Sequence, residues 1–396
     1  RFSGIILRPL CRENVRDFWR AVWYAVSGAI GRRKAAGGAV LPGAAACRAD
    51  VKFIPKGVSM ATLKEIAREA GVSVMTVSNV INRNYDKVSA KTAERVEKIV
   101  RKHNYVPNLS ARSLSGKHSH IIAVLVPEGS LPVRILEDPY RQKMIGAMEF
   151  YFRQRGYYVM LRAYKTAEEI ISLFHNWSVD GGVFFYPPFS DGDMARILDT
   201  GVPCVVIDRY YEKLKPLTVD LDDLRGGRLP AELLLKNGHR RIAFACPFRS
   251  PSIVVRQRIR GFAQVLREAG VPFPARYFFN SSGSLEDGVR IGRAICAMSD
   301  RPTAVVTTLD RLAVGILEGI RLSGYSVPND ISIVGFDNWE LLEYVQPKLT
   351  TVLQDLEKKA ECVVELLMHR IRGEEIEQPH VTLDVQLLER QSVRKI

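Results

Sequence analysis

From Ile121 to the C-terminus, short apolar runs alternate with segments of amphipathic helical pattern. The runs are IIAVLV, YYVMLRAY, GGVFFYP, PCVVIDR, RRIAFAC, TAVVTT and ISIVGFD. One intervening segment, Lys143 to Arg155, has helical spacing and ends at Gly156. Strands that alternate with helices are typical of parallel sheets in an α/β fold. One small sheet would not hold this many strands, so we expect residues 119–396 to form two α/β lobes.

Residues 62–82, TLKEIAREAGVSVMTVSNVIN, predict two short helices joined by a tight turn. Thr62 and Ser73 can cap the helix N-termini, and Gly71 stands where the first helix has to turn. The second helix should present short, uncharged side chains on its outer face, namely Val74, Met75, Thr76, Ser78, Asn79 and Asn82. Such a face suits base edges and phosphates in a DNA major groove. The alternative is a helical hairpin inside a larger core, because this spacing is common.

The net charge of +14 is concentrated near the N-terminus. Residues 1–59 carry +8, residues 60–117 carry +6, and residues 118–396 are neutral. A basic segment joined to a neutral body is typical of a polyanion-binding module attached to a separate functional domain. The charge distribution therefore favours DNA binding over a helical hairpin in a core.

A third helix and a short fourth one are predicted after the helix-turn-helix. Ser89 can cap the third helix, which completes a small all-α domain over residues 60–106. Pro107 prevents that helix from continuing, and the next helix reaches only to Gly116. A helix this short is marginal alone in water and needs a partner. We therefore interpret residues 107–118 as a hinge helix.

Residues 1–59 carry no argument about the fold. They are basic, and beyond Ala35 they are rich in glycine and alanine. Met60, immediately before the helix-turn-helix, stands where a natural start would be. We expect residues 1–59 to be a disordered basic extension or upstream sequence.

Several classes of protein are disfavoured by the rest of the sequence. The six cysteines lie far apart without a C-x-x-C pair, which predicts a reduced cytoplasmic protein with no metal site. No apolar run approaches the roughly 18 residues of a membrane span. No phosphate-binding loop, H-E-x-x-H or G-x-S-x-G motif is present, so we predict no catalytic residues, no cofactor and no enzymatic activity.

The motifs together resemble the lactose-repressor (LacI/GalR) family of bacterial transcription regulators. The resemblance rests on the helix-turn-helix segment, VSAKT, NYVPNLSARSLSGK, GHRRIAF, VPNDISIVGFDN, LTTVLQD and LERQS, and covers about residues 61–392. It implies a helix-turn-helix head and a body of two lobes, similar to periplasmic sugar-binding proteins, with an effector in the cleft. It also implies that the hinge folds on operator DNA against its copy in a second subunit, with Leu114 wedged into the minor groove.

The resemblance places DNA contacts on the head and hinge. Val74 and Met75 match the specificity pair of the recognition helix, and Asn79 matches a position that is often arginine in the family. An amide at that position favours adenine over guanine. The predicted DNA-binding residues are Thr62, Ser73, Val74, Met75, Thr76, Ser78, Asn79, Asn82, Tyr105, Asn108, Arg112 and Leu114.

The resemblance also places effector contacts at strand ends. Asp208, Arg258 and Asp337 match family positions that often bind effector, and carboxylates with a guanidinium suit the hydroxyl groups of a sugar or nucleoside. The alternative is that these charges form salt bridges across the lobes. The predicted effector-binding residues are Tyr186, Asp208, Arg258, Asp310, Asp337 and Gln354.

Some of these positions carry a second interpretation. Leu309 stands where the family commonly has an asparagine or serine, so a hydrogen-bonding partner is lost there. Asp310 begins a helix, and we favour a capping role for it. Phe185, Tyr186 and Trp339 could stack on a sugar, although core packing is the more common role of such rings. The loop from Pro127 should rim the cleft.

Taken together, the sequence predicts a cytoplasmic, nucleoid-associated repressor. We expect a homodimer that reads double-stranded operator DNA and is controlled by a small molecule, a sugar or related metabolite, without contact to a membrane. Carbohydrate-type pocket residues suggest an inducer that releases DNA, whereas a nucleobase pocket would suggest a corepressor. The alternative is an exported sugar-binding protein of a transport system, which would have no use for a helix-turn-helix.

Overall fold

A computed structural model describes residues 61–81, 84–103, 105, 118–128, 135–211, 213–247 and 253–396. The chain divides into two compact units, residues 1–106 and residues 107–396. In the first unit, which we call the head, the described helices are α1 (Leu63–Ala70), α2 (Val74–Ile81) and α3 (Ala90–Lys102).

The predicted helix caps in the head are confirmed. Thr62 Oγ1 accepts from the Glu65 amide at 3.3 Å, and the Glu65 carboxylate accepts from the Thr62 amide at 2.6 Å. The hydroxyls of Ser73 and Ser89 cap α2 and α3 by accepting from the amides of Thr76 and Thr92. Gly71 has φ +61°, a conformation that favours glycine and lets the chain turn between α1 and α2. The three helices enclose a core of Ile66, Ala67, Ala70, Val77, Val80, Ala93 and Val96.

The second unit, the body, alternates strands and helices as its apolar runs predict. Its first half contains β1 (Ile121–Pro127), α4 (Pro139–Gln154), β2 (Tyr158–Tyr164), α5 (Ala167–Trp177), β3 (Gly181–Phe185), α6 (Asp191–Leu198), β4 (Cys204–Ile207), β5 (Leu217–Leu221), α7 (Asp223–Lys236) and β6 (Ile242–Cys246). The remainder contains α8 (Ile253–Glu268), β7 (Phe278–Asn280), α9 (Leu285–Cys296), β8 (Ala304–Thr307), α10 (Asp310–Leu322), β9 (Ser332–Phe336), β10 (Thr350–Leu353), α11 (Leu356–Arg372), β11 (His380–Leu383) and β12 (Gln386–Leu388).

These strands form two six-stranded sheets, which confirms the two predicted lobes. The first sheet has the order β11-β5-β4-β3-β1-β2, and all of its pairs are parallel. The second has the order β12-β10-β9-β8-β6-β7 and is parallel except for the last strand, β12, which runs antiparallel to β10. Helices on both faces of each sheet explain why the inner strands are buried, whereas the edge strands β2, β7, β11 and β12 are partly exposed.

The chain passes between the lobes three times. It leaves the first sheet after β5, returns with α11 and β11, and ends in the second sheet with β12. Helix α11 packs its apolar stripe on the first sheet, where Leu356, Ala360, Val363, Val364 and Leu367 are buried. Three crossings leave the lobes joined at one side, so a cleft can lie between the carboxyl ends of the two sheets.

Candidate functional site

The outer face of α2 is the candidate DNA-reading surface of the head. Met75 is 72% exposed and Val74 is 41% exposed, which is unusual for apolar side chains of this size. Thr76, Ser78 and Asn79 are half-buried beside them. The helix has no acidic residue in its first turn, so nothing there repels a phosphate. The arrangement leaves an uncharged surface that can contact bases.

The other predicted DNA contacts are less informative. Thr62 and Ser73 are exposed, and both hydroxyls already cap helices. Tyr105 is half-buried against the core of the head. Four predicted contacts lie outside the described residues, namely Asn82, Asn108, Arg112 and Leu114.

A cleft of about 710 Å³ lies between the two lobes of the body. The first lobe contributes Leu356, Asp138 and residues 139–143, the N-terminal part of α4. The segment from Pro127 was predicted to be a loop at the rim of the cleft, but its residues 139–143 line the cleft as a helix, and residues 129–134 lie outside the described residues. The second lobe contributes the strand ends, with Pro247, Ser282, Gly283, Leu309, Asp310, Arg311, Asp337, Asn338, Trp339 and Glu340.

In the first lobe, Asp208 is already paired. It follows β4 with φ +60°, accepts a hydrogen bond from the Tyr140 hydroxyl, and forms an ion pair with Lys359 of α11. The Lys359 side chain is fully buried. Burial and the neighbouring Asp208 hold the pKa of the Tyr140 hydroxyl well above its usual value. The alternative of a salt bridge is therefore realised for Asp208, but inside one lobe and not across the two.

Sequence reasoning missed Lys359 and Tyr140. A signal for the lysine was present, because Lys359 falls on the same helical face as Leu356, Ala360 and Val363. A lysine on an apolar stripe needs a buried anion, and Asp208 supplies it.

In the second lobe, three predicted effector residues lie at the strand ends beside the cleft. Asp310 accepts hydrogen bonds from Thr351 Oγ1 and from the Trp339 amide, both at 2.7 Å. Gln354 donates its amide to Asp337, and its own carbonyl oxygen is buried without a hydrogen-bond partner among the described atoms. Burial raises the pKa of Asp310 to about 7 and holds that of Asp337 well above its usual range.

The predicted capping role of Asp310 is wrong. Asp310 is the first residue of α10, Leu309 occupies the cap position, and no side chain caps that helix. The carboxylate instead turns toward β9 and β10, where Gly335 leaves room, since a Cβ there would lie 2.1 Å from Asp310 Oδ1. Its two hydrogen bonds tie the start of α10 to the neighbouring strand ends.

Arg258 of α8 is buried where the chain first crosses between the lobes. Its Nε donates to Asp223 at 2.8 Å, its Nη1 donates to the Thr308 carbonyl at 3.1 Å, and its guanidinium carbon lies 3.5 Å from the Phe336 ring centre. Gly227 lets α7 and α8 pack closely together, since a Cβ at this position would lie 1.9 Å from the Arg258 carbonyl oxygen. The guanidinium stands behind the cleft and connects α7, β8 and β9.

The predicted aromatic contacts separate into core and cleft. Phe185 is fully buried in the core of the first lobe, whereas Trp339 is half-buried and lines the cleft. The Tyr186 hydroxyl accepts a hydrogen bond from Arg141, and burial raises its pKa. Arg141, which sequence reasoning did not identify, lines the cleft, and the Tyr186 hydroxyl holds its guanidinium from behind.

The described residues contain no group of three or more His, Cys, Asp or Glu side chains arranged to hold a metal ion. Within the same part of the chain, no helix is long and apolar enough to cross a membrane.

Comparison with known proteins identifies the family. A family model described as bacterial regulatory proteins, lacI family, matches residues 62–108, and one described as a periplasmic binding protein-like domain matches residues 231–393. The HTH-type transcriptional repressor PurR of Vibrio parahaemolyticus is 30% identical over 343 residues, which cover 85% of this chain and 100% of that repressor. This chain belongs to the lacI family of bacterial regulatory proteins.

Further relatives of this lacI-family protein agree. PurR of Mannheimia succiniciproducens is 30% identical over 344 residues, which cover 85% of this chain and 100% of that repressor. A crystal structure of the lac repressor dimer bound to operator and the anti-inducer ONPF has a TM-score of 0.74 at 28% identity, over 84% of this chain and 99% of that chain. A complex of the transcriptional regulator CelR with cellobiose has a TM-score of 0.62 at 27% identity, over 84% and 99% of the two chains.

These matches confirm the resemblance seen in the motifs. The lacI-family protein is a DNA-binding transcriptional repressor whose helix-turn-helix head precedes an effector-binding body of periplasmic-binding-protein type. The alternative of an exported sugar-binding protein has no support, because the matched repressors are covered over their whole length, head included. These relatives are transcriptional regulators, which are not enzymes.

Proposed function

We propose that this lacI-family repressor binds operator DNA as a homodimer and is controlled by a small polar molecule held in the interlobe cleft. Residues 60–106 would read the operator, residues 107–118 would form the hinge, and residues 119–396 would bind effector and dimerise. Two heads related by a two-fold axis would read a near-palindromic operator. The protein would act in the cytoplasm at the nucleoid and catalyse no reaction.

The observation that carries the proposal is the exposed, uncharged face of α2. Val74 and Met75 are apolar and lie at the surface of a basic domain, where they contribute neither to the core nor to solubility. DNA contact explains both the exposure and the surrounding charge, since phosphate contacts position a protein and base contacts specify the sequence. Asn79 beside them suits an adenine.

The recognition helix is tested by binding selection from a randomised operator library. Val74→Gln and Met75→Thr should change the selected bases, because each wrong base pair costs about 1–3 kcal/mol. Lys64→Ala and Lys91→Ala, which remove exposed cations of the same head, should weaken binding to all sequences alike and lower the salt dependence. Selection of the parent operator by the Val74 and Met75 variants would contradict the assignment.

The cleft residues support an effector that acts between the lobes. Asp310, Asp337 and Trp339 project from the second lobe, and Tyr140 and Arg141 from the first, so a bound molecule would bridge both. A ligand that prefers one arrangement of the lobes shifts their equilibrium and with it the hinge. We propose that Tyr186, Asp208, Arg258 and Gln354 support the cleft from behind its surface.

The direction of control is tested by titrating candidate sugars and purines into an operator-binding assay. We expect an inducer, so a bound sugar should weaken operator binding. Tighter operator binding in the presence of ligand would show a corepressor instead. Trp339→Ala should abolish the response to ligand while leaving operator binding in its absence unchanged, because Trp339 lines the cleft and lies outside the head.

A further inference from the structure

The first turn of α2 presents two apolar side chains and no charged one. Val74 is 41% exposed and Met75 is 72% exposed, whereas Val77 and Val80 of the same helix lie in the core of the head. The whole helix, VMTVSNVI, contains no acidic or basic residue. Because neither exposed side chain belongs to that core, we expect both to contribute where another surface covers them.

The two hydroxyl groups at the start of α2 are bonded within the helix itself. Ser73 Oγ accepts a hydrogen bond from the Thr76 amide at 3.1 Å and lies 2.9 Å from Thr76 Oγ1. These bonds hold both hydroxyls at the N-terminus of the helix. What the first turn offers to a partner is therefore mainly the aliphatic surface of Val74 and the thioether of Met75.

The surroundings of this turn favour DNA as the surface that covers it. The chain belongs to a family of DNA-binding regulators, and residues 60–117 carry a net charge of +6. Exposed cations such as Lys64 and Lys91 attract phosphates but do not distinguish bases. In helix-turn-helix proteins, the N-terminal residues of the second helix contact the base edges. Val74 and Met75 are the first two residues of that helix.

The major groove of DNA offers one apolar group to such side chains, the C5-methyl group of thymine. The other groups on the base edges there are hydrogen-bond donors and acceptors. An apolar side chain that covers one of them displaces its water without replacing the hydrogen bond, which weakens binding. Against a methyl group, the same side chain removes apolar surface from water and strengthens binding. An aliphatic first turn therefore favours thymine.

We propose that Val74 and Met75 read the thymines of two neighbouring base pairs in each operator half-site through their C5-methyl groups, and that Met75 makes the larger contact. This inference rests on the proposed function, because it assumes that α2 enters the major groove. Adjacent residues of a helix point about 100° apart, so the two side chains face neighbouring base pairs. Met75 is the more exposed of the two, and its unbranched side chain adapts to the surface that it meets.

The test removes single methyl groups from the DNA. The parent chain selects an operator from a randomised library, and each thymine of one half-site is then replaced in turn by uracil, which pairs in the same way but lacks the methyl group. Fluorescence anisotropy measures the dissociation constant of the full chain for each duplex at one salt concentration. At two neighbouring base pairs, uracil should weaken binding about four-fold. An operator without thymine, or an affinity that uracil leaves unchanged at every thymine, would overturn the proposal.

Variants show whether the loss comes from these two side chains. Met75→Ala should remove the effect of uracil at one base pair, and Val74→Ala should remove it at the neighbouring one. Both positions lie outside the core of the head, and alanine favours a helix, so the fold is retained. Lys64→Ala is the control, because it removes an exposed cation of α1 and should weaken the thymine and uracil duplexes by the same factor. A uracil effect of unchanged size in the Val74→Ala, Met75→Ala double variant would contradict the proposal.

A converse experiment adds methyl groups to the DNA. Where a sensitive T·A pair is replaced by C·G, 5-methylcytosine should bind more tightly than cytosine, because its methyl group lies on the same edge as that of thymine, and equal affinities would count against methyl readout. Failure of the chain to select any operator would instead count against the proposed function. A selected operator whose binding does not depend on any thymine methyl group would retain the proposed function and reject this inference.

Discussion

The two lobes share one architecture but bury the carboxylates at their strand ends by different means. In the first lobe, Asp208 is paired with the fully buried ammonium of Lys359. In the second, Asp310 and Asp337 form no ion pair with any described residue, and they are held by hydrogen bonds from Thr351, the Trp339 amide and Gln354. The first lobe pairs its buried carboxylate with a cation, whereas in the second lobe burial raises the pKa of both carboxyl groups.

The two lobes of the body should therefore respond differently to pH. Asp208 is paired with Lys359, whereas burial brings the pKa of Asp310 to about 7, close to the pH of the cell. Asp220 of the first lobe lies near the pair, and burial with Asp208 raises its pKa to about 7 as well. Near neutral pH the first lobe thus has Asp220 beside the Asp208–Lys359 pair, whereas the second has Asp310 in the cleft wall itself.

Removing the buried cation of the first lobe should cause the largest loss in the free energy of unfolding. Lys359→Met leaves Asp208 buried without its partner, which costs about 3–5 kcal/mol in the free energy of unfolding. Denaturant unfolding at pH 7 measures the loss. Lys358→Met on the same helix breaks only the exposed pair with Glu361 and should cost less than about 1 kcal/mol. Adding Asp208→Asn to Lys359→Met should recover part of the loss, and equal losses in the two lysine variants would contradict the assigned role of the pair.

Asp310→Asn tests the second lobe, and its effect on the free energy of unfolding should depend on pH. The folded pKa of Asp310 is raised to about 7 by burial, above its usual 3.8. Its contribution to the free energy of unfolding is therefore complete below pH 3.8 and is lost as the pH rises through 7. The difference between the parent chain and Asp310→Asn should fall by roughly 2 kcal/mol from pH 5 to pH 7.

This pH profile has its own control. Asp330, in the same lobe, accepts from the Ser326 amide, which lowers its pKa, so Asp330→Asn should show no such fall between pH 5 and pH 7. A difference for Asp310→Asn that stays flat or rises over that range would show that Asp310 is ionised throughout. The amide nitrogen of asparagine cannot accept a hydrogen bond, which adds only a loss that does not depend on pH.

Local features of the fold could be predicted from the sequence, and distant pairings could not. The caps at Thr62, Ser73 and Ser89 were accessible because each bond spans three residues. The strands were accessible because a buried parallel sheet requires continuous apolar runs. The order of strands within each sheet depends on crossover connections, which cannot be predicted from the local sequence of any one strand.

The cleft shows the same limit more sharply. The capping role predicted for Asp310 was wrong because its partner Thr351 lies 41 residues away. The partner of Asp208 lies 151 residues away on α11, and only the position of Lys359 on an apolar stripe hinted at it. The acidic positions could thus be found from motifs, but their charge state depends on contacts that the folded chain alone creates.

His239→Gln should have the smallest effect on the free energy of unfolding. Its pH dependence should be opposite to that of Asp310→Asn in the same lobe. His239 is fully buried, with Nε2 donating to the Arg394 carbonyl at 3.1 Å and Nδ1 lying 2.9 Å from Thr303 Oγ1. Burial lowers its pKa below the usual 6.5, so its contribution to stability is present above pH 6.5 and is lost as the pH falls further. The difference in the free energy of unfolding between the parent chain and His239→Gln should shrink by no more than about 0.7 kcal/mol from pH 7 to pH 6.

His175→Gln, at an exposed position of the first lobe, is the control, and its difference from the parent chain should not change over that pH range. The same slope in this variant would contradict the role of burial. As the pH falls, the contribution of Asp310 to stability grows and that of His239 is lost. The free energy of unfolding of the parent chain should therefore depend less on pH than that of Asp310→Asn or His239→Gln.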